Sequence, residues 1–210
     1  LVGSNPTASL LIVKNKKYYS WILYDWANSA YATIVLAGFF PIIYAEYFAA
    51  TLDSSERTLY LGISNSIASL LLILSAPLFG LLADRFNKKK LFLSIFALIS
   101  IVSTLLLSFV STNSYIIASI LFSISLLGFM MSNVFYDSML IDFKSNQFNK
   151  ISSFGYAFGY LGGGIAFVLA LFFLYYAGQS NIELIASKKV VFIFTSIWWS
   201  LFMLPLIVFW

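Results

Sequence analysis

The sequence of 210 residues contains no Cys and no His. It therefore has no disulfides, no thiol or imidazole nucleophiles, and no Cys or His ligands for zinc or haem. Asp and Glu are scattered along the chain, so no cluster of carboxylates is available for a catalytic metal. We predict neither a metal site nor a cofactor, and these absences argue against an enzyme.

Charge is also scarce. Only 10% of the residues are charged, whereas a soluble domain has about 25%. Hydrophobic residues make up 61% of the chain, and the mean hydropathy is +0.93. Such a chain cannot cover a water-facing surface, and it is too apolar to be disordered. These values favour a membrane protein.

Six long apolar runs divide the sequence. A membrane-spanning helix needs about 20 mostly apolar residues, and the runs are apolar at both odd and even positions, unlike barrel strands. We predict six transmembrane helices, at about residues 21–50, 58–83, 91–111, 114–141, 151–176 and 190–210. The fold class is thus an all-α integral membrane bundle over residues 20–210. Residues 1–19 are interpreted as a cytoplasmic leader, and the absence of an initial Met raises the interpretation that part of it is not native.

The distribution of basic residues predicts the orientation, because cytoplasmic loops carry an excess of Lys and Arg. With a cytoplasmic N-terminus, the inner segments hold nine of the 12 basic residues, and only Arg57, Lys188 and Lys189 lie outside. The nine are Lys14, Lys16, Lys17, Arg85, Lys88, Lys89, Lys90, Lys144 and Lys150. Both termini are expected in the cytoplasm. Because topology accounts for these residues, no nucleic-acid partner is expected.

Two predicted helices carry polar faces, and ionisable groups in such segments are functional candidates. By helical spacing, the faces on the first and fourth helices are Asp25, Asn28 and Ser29, and Asn133, Tyr136 and Asp137. Asp25 and Asp137 lie at similar depth, towards the predicted cytoplasmic ends. The two carboxylates could share a proton or a cationic group, which would suit proton-coupled transport. Alternatively, each could cap or hydrogen-bond a neighbouring helix at the headgroup level.

The connection between the second and third helices has an ordered pattern of Gly80, Asp84, Arg85, Asn87 and Lys88. A tight turn needs a residue that tolerates positive φ, and Asn is second only to Gly in this respect. The positive-inside rule explains the basic residues but does not require Asp84. Topology alone therefore does not explain the ordered spacing of this loop.

Glycines recur every four residues on the predicted fifth helix, at Gly155, Gly159 and Gly163. A stripe without side chains lets another helix backbone approach closely. This pattern predicts a helix-packing face.

The segment 80–90 resembles the signature loop of the major facilitator superfamily, with Asn87 where that family usually has Gly. Four further blocks resemble the branch containing the autophagy-related vacuolar amino-acid effluxers and their bacterial relatives. They are residues 24–31, 134–138 and 159–164, and the pair Trp198 and Trp199 together with Pro205.

This resemblance implies a twelve-helix fold of which the chain is the N-terminal half, because Trp210 ends the sequence inside a helix. In such a fold the first and fourth helices line a central cavity. Asp84 and Arg85 would hold the missing C-terminal half in one access state, and the Gly155–Gly163 stripe would pack against that half.

The function implied is secondary active transport of a small organic solute by alternating access in a lipid bilayer. The resemblance favours amino acids and export, and a bacterial cytoplasmic membrane over a vacuolar one. The alternative is a non-transporting membrane scaffold or assembly protein.

Overall fold

A computed structural model describes residues 6–179 and 184–210, with side chains described from residue 16 onward except at residues 146 and 180–188. Within this part of the chain every regular element is helical. Six helices are long and apolar enough to cross a membrane, and they cover Lys16–Phe48, Ser54–Arg85, Lys89–Leu107, Tyr115–Asp142, Phe148–Gln179 and Lys189–Phe209. We call them the first to sixth helices. The predicted all-α, six-helix membrane bundle is confirmed.

The first helix changes its winding along its length. It begins as an α-helix over Pro6–Ala30, within the segment interpreted as a leader, and continues as a π-helix over Tyr31–Phe39. One α-turn, Phe40–Ile43, separates this stretch from a second π-helical stretch, Tyr44–Phe48. Pro41 lies in that turn, and proline has no N–H and crowds the carbonyl four residues earlier in an α-helix. The π-helix before Pro41 therefore lies where the proline would disturb the hydrogen bonds of an α-helix.

The second helix, Ser54–Arg85, is capped at both ends. At its start the Glu56 amide donates to the Asp53 carboxylate at 2.9 Å, and the Asp53 amide donates to the Glu56 carboxylate at 3.1 Å. At its end Asn87 has a φ of 53°. The Asn87 and Lys88 amides donate to the carbonyls of Asp84 and Ala83, at 3.2 and 2.8 Å. This is a Schellman motif, and the predicted positive φ at Asn87 is confirmed.

The remaining helices are the third, Lys89–Leu107; the fourth, Tyr115–Ser138, extended by a 3-10 turn, Met139–Asp142; the fifth, Phe148–Gln179; and the sixth, Leu184–Phe209. A short 3-10 turn, Ser145–Gln147, joins the fourth and fifth helices. The second and fifth helices have 32 residues each. At 1.5 Å per residue they are about 48 Å long, longer than a hydrocarbon core of about 30 Å. They must therefore tilt or extend beyond it.

The helices pack in two groups. The first helix packs against the fifth and sixth, whereas the fourth packs against the second and third, and the third helix also contacts the sixth. Phe40 and Phe122 join the groups through rings that stack with centroids 3.9 Å apart. The second helix presents Ile73 and Leu81 outward, at 68% and 69% exposure. Apolar side chains on the outside of the bundle agree with lipid as its solvent.

Lysines donate to backbone carbonyls at both ends of the bundle. At one end, which we call the basic end, Lys89 donates to the Ser138 carbonyl at 3.3 Å and Lys90 to the Ile207 carbonyl at 3.1 Å. At the opposite end, Lys189 donates to the Val110 carbonyl at 2.8 Å. The Ser138 and Ile207 carbonyls lie in the last turns of helices, where the backbone acceptors lack helical partners and the dipole favours a cation, whereas Val110 follows the end of the third helix. Lys189, an exception to the positive-inside pattern, therefore has a structural role.

Candidate functional site

Side-chain hydrogen bonds link the first and fourth helices at four levels. Nearest the basic end, the Trp21 indole donates to the Tyr136 carbonyl at 3.1 Å. The other links are Asn28 to Asn133, Tyr31 to Ser125 at 2.7 Å, and Tyr44 to Ser119 at 2.8 Å. A polar group inside a membrane bundle must find its partner in the protein, because lipid supplies none. The two helices with predicted polar faces are therefore bound to each other along most of their length.

Asn28 and Asn133 are partners in one of these links. The Asn28 amide nitrogen donates to the Asn133 side-chain oxygen, and Asn28 is only 2% exposed. The resemblance implied that both residues line an open cavity. In the structure Asn28 lies in the contact between the two helices, and that both residues line a cavity of the complete protein stays a prediction.

Asp25 and Ser29 face the fifth helix. A Cβ added to Gly159 would lie 2.8 Å from the Asp25 carboxylate and 2.9 Å from the Ser29 hydroxyl. Asp25 is half-buried and packs over the space that the glycine leaves free. The absence of a side chain at Gly159 is what admits a carboxylate between these two helices.

Asp137 lies near Asp25 and is exposed on the fourth helix. Asp25 and Asp137 directly follow Tyr24 and Tyr136, whose ring centroids lie 5.2 Å apart, and the Tyr136 ring is buried. Tyr136 also stacks on Trp21 with centroids 4.2 Å apart. Among the described side chains neither carboxylate forms an ion pair; Asp84 with Lys89, at 3.4 Å, is the pair found there. Asp25 and Asp137 are thus two acidic groups without a basic partner among the described side chains.

The glycine stripe does not have the partner that the resemblance implied. An added Cβ would lie 2.6 Å from the Trp21 ring at Gly155 and 2.9 Å from the Ser29 carbonyl at Gly163. Both neighbours belong to the first helix of this chain. The expectation that the stripe packs against a missing half is therefore wrong, because the first helix already occupies this face.

The loop between the second and third helices combines contacts with exposed groups. Asp84 pairs with Lys89, which also reaches the Ser138 carbonyl. Arg85 and Lys88 are exposed, and the Arg85 guanidinium lies 5.8 Å from the Phe86 ring centroid. An added Cβ at Gly80 would meet no atom within 4 Å. Gly80 therefore has an open face, whereas Asp84 contacts the start of the third helix.

The sequence analysis did not predict that aromatic side chains pack beside the acidic residues of the first and fourth helices. Trp21 and Tyr24 precede Asp25 by four and one residues, and the rings of both lie against that of Tyr136. The spacing of Trp21, Asp25 and Asn28 places Trp21 beside the polar face. That signal was available, but the sequence does not show which helix each aromatic ring contacts.

A cavity of about 810 Å³ opens at the basic end between the first and fifth helices. Its walls include Ile22, Leu23, Phe154 and Phe158, and Lys150 lies among its polar residues. Asp25 and Asp137 do not line it. In the described part of the chain, no three side chains of the types Asp and Glu are grouped as metal ligands would be.

This architecture defines a multi-pass integral membrane protein with paired acidic groups on facing helices. The family model described as "Vacuole effluxer Atg22 like" matches residues 54–210. The chain belongs to this family, which confirms the resemblance to the vacuolar effluxers and their bacterial relatives.

Two curated relatives are similar to the chain. An "Uncharacterized MFS-type transporter YxiO" of Bacillus subtilis is 33% identical over 196 residues, which are 91% of this chain and 46% of the relative. An "Uncharacterized protein" of Aquifex aeolicus is 29% identical over 155 residues, 74% of this chain and 38% of the relative. The chain thus spans less than half the length of either relative. No solved structure matches it at a significant level.

Proposed function

We propose that the whole protein is a secondary transporter of a small organic solute, in which two six-helix halves rock around a site between them. Membership of the effluxer family supports this function, as does the name of the Bacillus relative, an MFS-type transporter. The chain corresponds to one half, and the further length of both relatives has room for the second. Alternating access then follows from movement of one half against the other.

The observation that carries this proposal is the pair Asp25 and Asp137. Two carboxylates within electrostatic range, on helices that span the membrane, cost free energy unless a proton or a cation compensates them. No described basic side chain pairs with either of them. We propose that they bind a proton, or the ammonium group of an amino acid during export. Asp137 is exposed and would contact the solute, whereas Asp25 is held against Gly159.

Proton coupling is tested by transport in proteoliposomes that contain the full-length protein. Efflux of labelled amino acids is measured at several internal pH values for Asp25→Asn, Asp137→Asn and the parent protein. We expect either substitution to abolish the pH dependence, because an amide cannot take up the proton. Asp142→Asn is the matched control, because Asp142 is an exposed carboxylate that follows the fourth helix.

The control should keep the parent pH profile. If both Asp25→Asn and Asp137→Asn also kept it, the proposed coupling role would be excluded. If the parent protein released every amino acid no faster than protein-free vesicles did, amino-acid transport itself would be excluded. The two results separate the coupling mechanism from the solute class.

We further propose that the membrane is the bacterial cytoplasmic membrane and that both ends of the chain face the cytoplasm. Two bacterial relatives support this location. The excess of Lys at the basic end supports the orientation, since cytoplasmic segments carry that excess.

A further inference from the structure

The cavity at the basic end combines one cationic group with apolar walls. Its volume of about 810 Å³ lies within the range of about 300–1,000 Å³ that small-molecule sites occupy. Among the described side chains that line it, Lys150 carries a positive charge and none is a carboxylate. Asp25 and Asp137 are not in its walls. The cavity is therefore distinct from the acidic residues of the proposed transport function, and its charge favours an anion.

Polar and apolar groups in the cavity are ordered by depth. The fifth helix begins at the basic end, where Lys150 lies in its first turn, and Phe154 and Phe158 follow four and eight residues later. At 1.5 Å per residue these rings are about 6 and 12 Å further along the helix. On the first helix Tyr19 comes before Leu23 in the same direction, and tyrosine is enriched at membrane interfaces. This order of groups matches that of a phospholipid, whose charged headgroup leads into acyl chains.

The apolar walls of the cavity are open at the side of the bundle. Phe154 is 44% exposed and Phe158 is 39% exposed. The Phe158 ring centroid lies 6.5 Å from that of Trp26, which in turn lies 5.9 Å from that of Trp198 on the sixth helix. Exposed apolar rings in a membrane-spanning helix have lipid as their solvent. An acyl chain can therefore reach these walls from the bilayer.

We propose that the cavity binds one anionic phospholipid, with its phosphate at Lys150 and an acyl chain against Leu23, Phe154 and Phe158. Lys150 forms no salt bridge with a described side chain, so its ammonium group can pair with the phosphate in a charge-assisted hydrogen bond. Basic pockets between membrane helices are typical sites for anionic headgroups. This lipid site does not depend on the proposed transport function.

Photolabelling of the full-length protein in mixed bilayers tests the site. Phosphatidylglycerol with a diazirine in its acyl chain is compared with phosphatidylcholine that carries the same chain, because choline compensates the charge of the phosphate. Peptide mass spectrometry measures the labelling around Phe154 and Phe158, and the labelling around Ile73, 68% exposed on the second helix, reports unselective lipid contact.

We expect the ratio of phosphatidylglycerol to phosphatidylcholine labelling to be several-fold higher at the cavity than at Ile73. Equal ratios at the two places would overturn the proposal. Absence of labelling at the cavity by both lipids would also overturn it, because another part of the full-length protein would then cover the walls.

Two lysine substitutions test the headgroup contact. Lys150→Gln should lower the ratio at the cavity to that at Ile73. Lys144→Gln is the matched control, because Lys144 is exposed in the connection before the same helix but does not line the cavity. An unchanged ratio in Lys150→Gln, or an equal loss in both variants, would contradict the assigned contact. If Lys150→Gln fails to fold, the comparison of the two lipids in the parent protein still decides.

Discussion

Gly163 and Gly164 are neighbours on the fifth helix with opposite surroundings. A Cβ at Gly163 would lie 2.9 Å from the Ser29 carbonyl, which is backbone and cannot rotate away. A Cβ at Gly164 would have no atom within 4 Å. The Thr33 hydroxyl also donates to the Gly163 carbonyl at 3.1 Å. The close contact between the first and fifth helices therefore depends on Gly163, whereas Gly164 has no such constraint.

We predict that Gly163→Ala destabilises the protein by about 1–3 kcal/mol, the usual cost of overpacking. Gly164→Ala should be neutral or slightly stabilising, since alanine favours the helix. Thermal unfolding of the two variants in the same detergent measures the difference. Equal melting temperatures would mean that the fifth helix does not contact the first as described.

Asn87 is the residue that ends the second helix, and its φ of 53° requires a left-handed backbone. We predict that Asn87→Gly keeps the parent stability, whereas Asn87→Val loses about 1–2 kcal/mol, because a β-branched residue is strained there. Urea unfolding in mild detergent compares the three proteins. An Asn87→Val protein as stable as the parent would contradict the turn geometry.

Between helices, the lysines of the basic end bind the backbone carbonyls at the ends of neighbouring helices. Lys90 reaches the Ile207 carbonyl on the sixth helix, and Lys89 reaches the Ser138 carbonyl on the fourth. Lys16 and Lys17 lie over the rings of Phe209 and Trp210, 4.9 and 4.7 Å from their centroids. The start of the third helix therefore binds the ends of the fourth and sixth helices at this end of the bundle.

We predict that Lys90→Met destabilises the protein by about 1 kcal/mol, because a carbonyl at the end of the sixth helix loses its cation. Lys88→Met is the control, as Lys88 is exposed beside the same turn. Melting temperatures at low and high salt measure both variants. The deficit of Lys90→Met should shrink as salt screens the parent interaction, and equal deficits in both variants would argue against a specific role for Lys90.

Some of these elements could be predicted from the sequence. Length and hydropathy are enough to indicate six membrane helices, because lipid imposes both on any spanning segment. The turn at Asn87 was also predictable, since few residues accept its φ. The partner of the glycine stripe was not, because spacing shows that Gly155, Gly159 and Gly163 share a face but not which helix covers it. The π-winding around Gly38 and Pro41 likewise depends on the packing of the first helix.

For the whole molecule, the described bundle is one half of the proposed transporter. Its first helix is held by the fourth, fifth and sixth, and the second helix remains exposed along most of its length. Sequence patterns predict Asp25 and Asp137 at one depth, and in the structure each follows a tyrosine of a pair whose ring centroids lie 5.2 Å apart. The solute and the direction of transport belong to the complete protein, because a site between two halves takes ligands from both.

The proposed contact between Asp137 and the solute requires that this side chain face water rather than lipid. A nitroxide label at Asp137→Cys in the full-length protein, reconstituted in bilayers, tests this by collision with a water-soluble nickel chelate and with oxygen. A label at Ile73→Cys is the lipid-facing control, because Ile73 is an exposed apolar residue on the second helix. We predict that the nickel chelate dominates relaxation at position 137 and oxygen at position 73. Oxygen dominance at both positions would contradict the account.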